Sequence, residues 1–319
     1  MNTKPNSLIP LFPIAILVLA IGCKPLQINN FSDRLAPSNS RTWTPELSVL
    51  PSAVFNGDEI QIQNIRNINY LSDNDFVVKY FDRTIQLRDV QSVDFIVTPF
   101  NNMPAIAHTM LSFGMSDGSY LGLSVEIRNE QGEEYSPFLG FSNQFEITYI
   151  IADEKDLIRV RTHHRDSDVY VYPSVATADQ AQKLFVDVLQ KVNQLKNEPE
   201  FYNTIKNNCT TNLVDHVNKI KPDRVPFNWR VLLPGFSAEY AYEIGLLDNR
   251  IPFEDLKNVS HVNDLVDHHY DDPNFSNRIR RRRSNIQRLA ARQQRRQPTI
   301  DASGQKFLDT TLPPPRIWR

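Results

Sequence analysis

Two cysteines are all that 319 residues hold, and long apolar runs are as scarce, with one near the start from Leu8 to Ile21. Two thiols exclude a disulfide-built scaffold. The sequence also lacks an internal repeat, a glycine-rich phosphate loop and a second long apolar segment, which sets aside solenoids and phosphate-loop enzymes. Net charge is small, a formal −2 from 35 basic and 37 acidic residues, and says little about partners. Its distribution says more. Arg278, Arg280 to Arg283, Arg288, Arg292, Arg295 and Arg296 fall in a stretch without one acidic residue, so the chain before it is net acidic.

Cys23 has a context of its own. Met1 to Gly22 carries one positive residue, Lys4, then the apolar run broken by Pro10 and Pro13, then Ala20-Ile21-Gly22-Cys23. The run is shorter than the roughly 20 residues of a spanning helix. Small residues before a cysteine make it read as a bacterial lipoprotein signal, cleaved ahead of a lipidated Cys23, although Ala20 stands where a branched residue is usual. An uncleaved anchor is the alternative. Either way the body faces out of the cytoplasm on a membrane. A Cys23–Cys209 disulfide is open in an oxidising compartment, but acylation of Cys23 excludes it and leaves Cys209 a lone thiol. The expected organisation is a signal over 1–22, a polar linker over 23–42, one large domain over 43–277 and a basic, partly disordered tail over 278–319.

Strands come first and helices afterwards. Glu59–Gln63, Phe76–Tyr80, Val90–Val97, Ala105–Met115, Tyr120–Arg128, Phe141–Ala152, Leu157–Arg161 and Val169–Tyr172 are β-rich runs. A helix is predicted from Ala178 to Leu195, with Thr177 and Gln180 as a capping box and Ala181, Leu184, Phe185, Val188 and Val192 on one face. Phe236–Leu247 and Phe253–Tyr270 also have helical patterns.

Between them, Leu213, Val214, Val217 and Ile220 recur at helical spacing behind Asn207-Asn208-Cys209. Asn208 or Asn207 caps that helix, which places Cys209 at its start, where free N–H groups and the positive end of the dipole favour a thiolate nucleophile. An inert core cysteine is the plainer alternative. A second residue comes from the hairpin. A three-residue loop Ser116-Asp117-Gly118 pairs positions whose numbers sum to 234, setting Phe113 opposite Leu121, Leu111 opposite Leu123 and Thr109 opposite Val125. The same register sets His108 opposite Glu126 on the other face, close enough for a carboxylate to orient an imidazole. Cys209, His108 and Glu126 then make a nucleophile, base and orienter, provided the His108 strand packs on the start of the Cys209 helix.

The segments His108 with Leu111-Ser112-Phe113-Gly114, Leu123 to Arg128, Glu154 to Ile158, Tyr202-Asn203-Thr204 and Asn207-Asn208-Cys209-Thr210-Thr211 resemble the Lnb-type N-terminal periplasmic domain family, over about Trp43 to Arg280. The resemblance implies an α+β fold, circularly permuted papain-like, with an antiparallel sheet packed against the nucleophile helix. It implies Cys209 as nucleophile and His108 as base; the third role, for Glu126, rests on the hairpin register. Relatives include acyltransferases working through a thioester and cell-wall peptidases. The lipoprotein N-acyltransferase members also carry several membrane helices after this domain, which this sequence lacks.

Other constellations have plainer readings. His216, seven residues after Cys209 and roughly 10 Å along a helix, is expected on the surface. His163-His164 reads as a polar loop. His261, Asp264, Asp267, His268, His269, Asp271 and Asp272 look like metal ligands in composition, but a solvated helix face explains them as well. Ser112 and Ser124 flank the site without a nucleophile elbow. No cofactor or metal is expected. The leading reading is a membrane-anchored extracytoplasmic thiol acyltransferase or hydrolase acting on acyl groups of a membrane lipid or lipoprotein in the bacterial cell envelope. The alternatives are a cysteine peptidase or amidase on cell-wall peptides and a catalytically silent envelope binding protein. Arg278 to Arg296 is expected to meet an anionic membrane surface, and no nucleic-acid partner is expected.

Overall fold

The computed structural model describes residues 36–72, 75–133, 140, 144–296, 299–300 and 306–307. Residues 1–36 and 37–319 form separate units. Cys23, the leader and the closing proline run lie outside the described residues. No helix among the described residues is long and apolar enough to cross a membrane.

The second unit is α+β. Its strands are β1 (Ser52–Asn56), β2 (Glu59–Arg66), β3 (Asn69–Tyr70), β4 (Phe76–Val77), β5 (Tyr80–Gln86), β6 (Val90–Phe100), β7 (Met103–Met115), β8 (Tyr120–Arg128), β9 (Glu146–Asp153) and β10 (Tyr170–Pro173). One sheet runs β1-β2-β9-β8-β7-β6-β10, with β5 also pairing β2. Its pairings are antiparallel except a parallel contact of β2 with β9 at Arg66 and Ala152. The helices are α1 (Glu154–Arg159), α2 (Ala178–Asn197), α3 (Cys209–Ile220), α4 (Trp229–Leu232), α5 (Ser237–Glu243), α6 (Phe253–Ser260), α7 (Asn263–His268), α8 (Phe275–Arg278) and α9 (Ser284–Arg296).

The β7–β8 hairpin has the register that its pattern predicts. Gly118 adopts φ +80°, which only glycine reaches without strain. Met115 N–H donates to Ser119 O at 2.8 Å, and Phe113↔Leu121, Leu111↔Leu123 and Met110↔Ser124 follow. Alternation then separates two faces. Leu111, Phe113, Leu121, Leu123 and Val125 join Phe185 of α2 and Cys209 and Leu213 of α3 in one core. Met110, Ile96 and Ile150 face the other way, onto Leu157 and Ile158 of α1 and onto α7 and α8. The sheet is therefore sandwiched, with α2 and α3 on one side and α1 on the other.

Several expectations change. Leu157–Arg161 is not a strand: Asp153 caps α1 by accepting from Lys155 N–H, and the chain continues as a π-turn over Val160–His164. Its pattern misleads because Glu154 and Asp156 are buried acids held by distant arginines. Phe76–Tyr80 splits between β4 and β5, and the 253–270 pattern breaks at His261 and Val262, where Val262 N–H bonds Val169 O beside β10. The linker ends earlier than Trp43, since Ser38 N–H and Arg41 Nε both donate to Glu146. The boundary at 277 also gives way. Ile279, Ile286 and Ala290 are buried, and Arg280 donates to Asp94 at 2.8 Å and forks onto Glu154. The arginine-rich stretch thus begins as part of the core, tying α8 to β6 and α1.

Candidate functional site

Cys209 is the first residue of α3. Asn208 is its cap: Asn208 Oδ1 accepts from Thr211 N–H, and Asn208 N–H donates back to Thr211 Oγ1, both at 2.9 Å. Asn208 Nδ2 also holds the preceding turn through Thr204 O at 2.7 Å. Cys209 is a free thiol, buried, with Sγ 3.8 Å from Thr210 Oγ1, and Thr210 Oγ1 lies 3.1 Å from Thr109 Oγ1.

His108 and Glu126 come together as the hairpin register requires, on the α1 face. The β7–β8 ladder closes at Met110↔Ser124, and Ser124 stands between the two: its hydroxyl donates to Glu126 Oε1 at 2.7 Å and lies 2.7 Å from His108 Nε2. His108 Nε2 and Glu126 Oε1 are 4.0 Å apart. With its one proton committed to Glu126, Ser124 accepts from His108 Nε2–H, which leaves Nδ1 as the acceptor nitrogen. That polarity is the reverse of a serine nucleophile, whose proton goes to the imidazole.

Charge fixes this cluster. Burial pushes the Glu126 carboxyl up, but Arg66 and Arg161 outweigh it and hold it below the usual carboxylate range. Arg161 Nη2 donates to Glu126 Oε1 at 3.1 Å. Burial and then the Arg161 guanidinium depress His108 to about 3, against the smaller pull of Glu126, so the imidazole is neutral at physiological pH.

Cys209 is not part of this assembly. Thr109, one residue from His108, points to α3, and residues adjacent on a strand point to opposite faces. The structure brings together His108 and Glu126 and leaves Cys209 across the sheet from them. The expectation failed at one step: register sets which residues are opposite within a hairpin, whereas the face that receives α3 is decided by tertiary packing.

Another cluster lies beside the start of α3. His216 is buried rather than at the surface, because Tyr149 Oη lies 2.9 Å from its Nε2 and Asp187 meets its Nδ1. Tyr149 Oη also donates to Asn212 Oδ1 at 2.9 Å, and Asn212 Nδ2 reaches Asn207 Oδ1 and Asn208 O at 2.8 Å each. The network lines a polar cavity of about 440 Å³ with Lys191, Glu200 and Lys219. Sequence reading missed Tyr149 and Asp187; the signal was the i,i+4 spacing of Asn212 and His216 on the face shared with Asn208.

The metal-like composition near 261–272 is divided among other partners. His261 pairs with Asp168 at 2.7 Å, Asp264 with Arg282, and His268 Nδ1 with the backbone carbonyl of Asp264. Among the described residues no three such side chains converge. His163 and His164 lie in the π-turn, edge to face at 5.2 Å.

A family model described as the Lnb N-terminal periplasmic domain matches residues 77–235, a span that contains β7, β8 and α3. The match supports an extracytoplasmic protein of the cell envelope. No curated protein and no solved structure matches the chain. Through residues 77–235, the chain belongs to the Lnb N-terminal periplasmic domain family.

Proposed function

We propose that this envelope protein, held at a membrane through a lipidated Cys23, acts on acyl groups of lipids or lipoproteins through a thioester at Cys209. The observation that carries this reading is that one helix bears both the thiol and an apolar wall: Thr210, Leu213, Val214 and Val217 of α3 line a cavity of about 370 Å³. In the reaction, sulfur attacks the acyl carbonyl, the alkoxide leaves with a proton, and an amine or water then takes the acyl group from sulfur. First-turn N–H groups of α3 are the donors for the oxyanion.

His108 serves as base only if it turns to the α3 face. In the free protein it is held against Ser124 and Glu126, just beyond the end of the β7–β8 ladder but still paired with Thr98 of β6, so turning it requires a one-residue slip against β6 as well. Incubation with a phospholipid or lipopeptide donor should leave a hydroxylamine-labile fatty-acyl mass on Cys209, absent in Cys209→Ala. Turnover that persists in Cys209→Ala would overturn the proposal.

The separation of Cys209 from His108 favours one second reading, a catalytically silent envelope protein that binds acyl lipids. It is distinguished by binding without an adduct and without consumption of the donor.

A further inference from the structure

The cavity along α3 has a direction. Its inner end is closed by buried Leu111, Thr210, Leu213 and Val231, and its outer end is reached past exposed Val175, Gln180 and Lys221. From Thr210 to Lys221 the helix rises about 16 Å at ~1.5 Å per residue. The space is long, apolar along its walls and open at the end where α3 finishes.

Two basic side chains, Lys221 and Arg224, line that opening. Lys221 makes no ion pair or side-chain hydrogen bond among the described residues and is exposed at the rim. Arg224, also at the rim, is fixed in place: Nη1 donates to Ile244 O at 2.6 Å and Nη2 to Gly245 O at 2.7 Å, so its charge is uncancelled by an acid. Asp94, the one acid on the lining, is taken by Arg280 and Arg283.

The segment 225–236 closes one side of the cavity with Val225 and Val231 and turns aromatic rings outward. Phe227 is 85% exposed, Trp229 54% and Phe236 38%, with Trp229 and Phe236 edge to face at 5.3 Å. Phe227 follows Arg224 by three residues in the chain, and exposed aromatics together with basic side chains are the composition of a membrane-interface contact.

We infer that this cavity binds, without covalent attachment, a single-chain anionic amphiphile taken from a bilayer, its chain along α3 toward Thr210 and its head at Lys221 and Arg224. A carboxylate and a phosphate head share the chemistry that the rim recognises, a negative charge at the end of one acyl chain. The site does not rest on the thioester reading: with its head at the far end of α3 from Cys209, this amphiphile presents no carbonyl to the thiol, so it is a bound ligand of the cavity and not the acyl donor.

Palmitate and lysophosphatidylglycerol are titrated into the purified protein by calorimetry, with lysophosphatidylcholine and diacyl phosphatidylglycerol vesicles for comparison. Both anionic single-chain probes should bind, or one alone if the rim selects carboxylate from phosphate, and lysophosphatidylcholine should bind more weakly. Val217→Trp and Val214→Trp, which fill the cavity from its partly exposed wall, should each weaken binding about tenfold or more. Lys221→Glu should weaken it roughly threefold to fivefold, an effect that fades with salt. Cys209→Ala should bind as the wild type does, whatever becomes of its chemistry. Circular dichroism of each variant separates lost binding from lost folding. The proposal fails if neither anionic probe binds the folded wild type. It fails equally if both tryptophan variants fold and bind normally, if binding needs Cys209, or if only diacyl vesicles bind.

Discussion

Thr109 Oγ1 lies 3.1 Å from Thr210 Oγ1, and this contact decides which face of β7 looks at the start of α3. With Thr109 facing the helix, His108 faces Arg161 and Glu126. In the free protein, the pH profile for iodoacetamide labelling of Cys209 should therefore be the same in wild type and His108→Ala. Acyl turnover, if His108 turns during the reaction, should be lost in that variant. A labelling profile moved to higher pH by His108→Ala would show that the imidazole already sits beside the thiol.

The buried imidazole makes stability depend on pH. His108 is depressed from 6.5 to about 3, so between those values the unfolded chain binds a proton that the folded chain refuses. Stability from this group is complete above the unfolded value and falls as pH drops through the window. Glu126 acts in the same direction, its depressed carboxyl giving stability that is lost on acidification. His108→Gln should flatten the change in urea midpoint between about pH 7 and about pH 5. An equally steep dependence in that variant would assign the acid sensitivity elsewhere.

Arg280 reaches across the domain. It forks onto Glu154, bonds Asp94 and Ser112, and lies 3.5 Å from the centre of the Tyr120 ring. Removing one partner of such a cluster strands buried charge, so Arg280→Met should destabilise by about 3–5 kcal/mol. Exposed Arg292→Ala should stay within about 0.5 kcal/mol. Truncation after Asn277, harmless to a solvated tail, should prevent native folding because Ile279, Ile286 and Ala290 go with it. Guanidinium denaturation of the three proteins is the measurement, and a stable truncated form would restore the boundary at 277.

What was legible in the sequence was local. Gly118 and the alternation on its flanks specified the hairpin register, and Thr177 and Asn208 announced the helix starts through their own hydrogen bonds to the first turn. What was not legible depended on residues far along the chain. Leu157–Arg161 reads as a strand until Arg66 and Arg280 arrive to neutralise Asp156 and Glu154. His216 reads as a surface residue until Tyr149 and Asp187 close over it. The facing of His108 relative to Cys209 needed the placement of α3 on the sheet, which no spacing within either element contains.

The His216 network offers the sharpest test of how the start of α3 is held. Asn212 Nδ2 donates to Asn207 Oδ1 and Asn208 O, so its Oδ1 must accept, and Tyr149 supplies the proton. Tyr149 Oη also meets His216 Nε2, and Asp187 meets the other ring nitrogen, so Asn207, Asn208, Asn212, Tyr149, His216 and Asp187 form one connected network. His216→Ala and Tyr149→Phe should each cost about 1–3 kcal/mol, since each leaves a buried polar partner unserved. The double variant should cost less than the sum by about 0.5 kcal/mol or more, because the second change removes a group already deprived of its partner. Loosening Asn212 also loosens Asn208, the cap of the helix that Cys209 begins, so His216→Ala should speed labelling of Cys209 at fixed pH. Additive losses with an unchanged labelling rate would mean that the network only fills space, and that Asn208 holds the thiol's helix unaided.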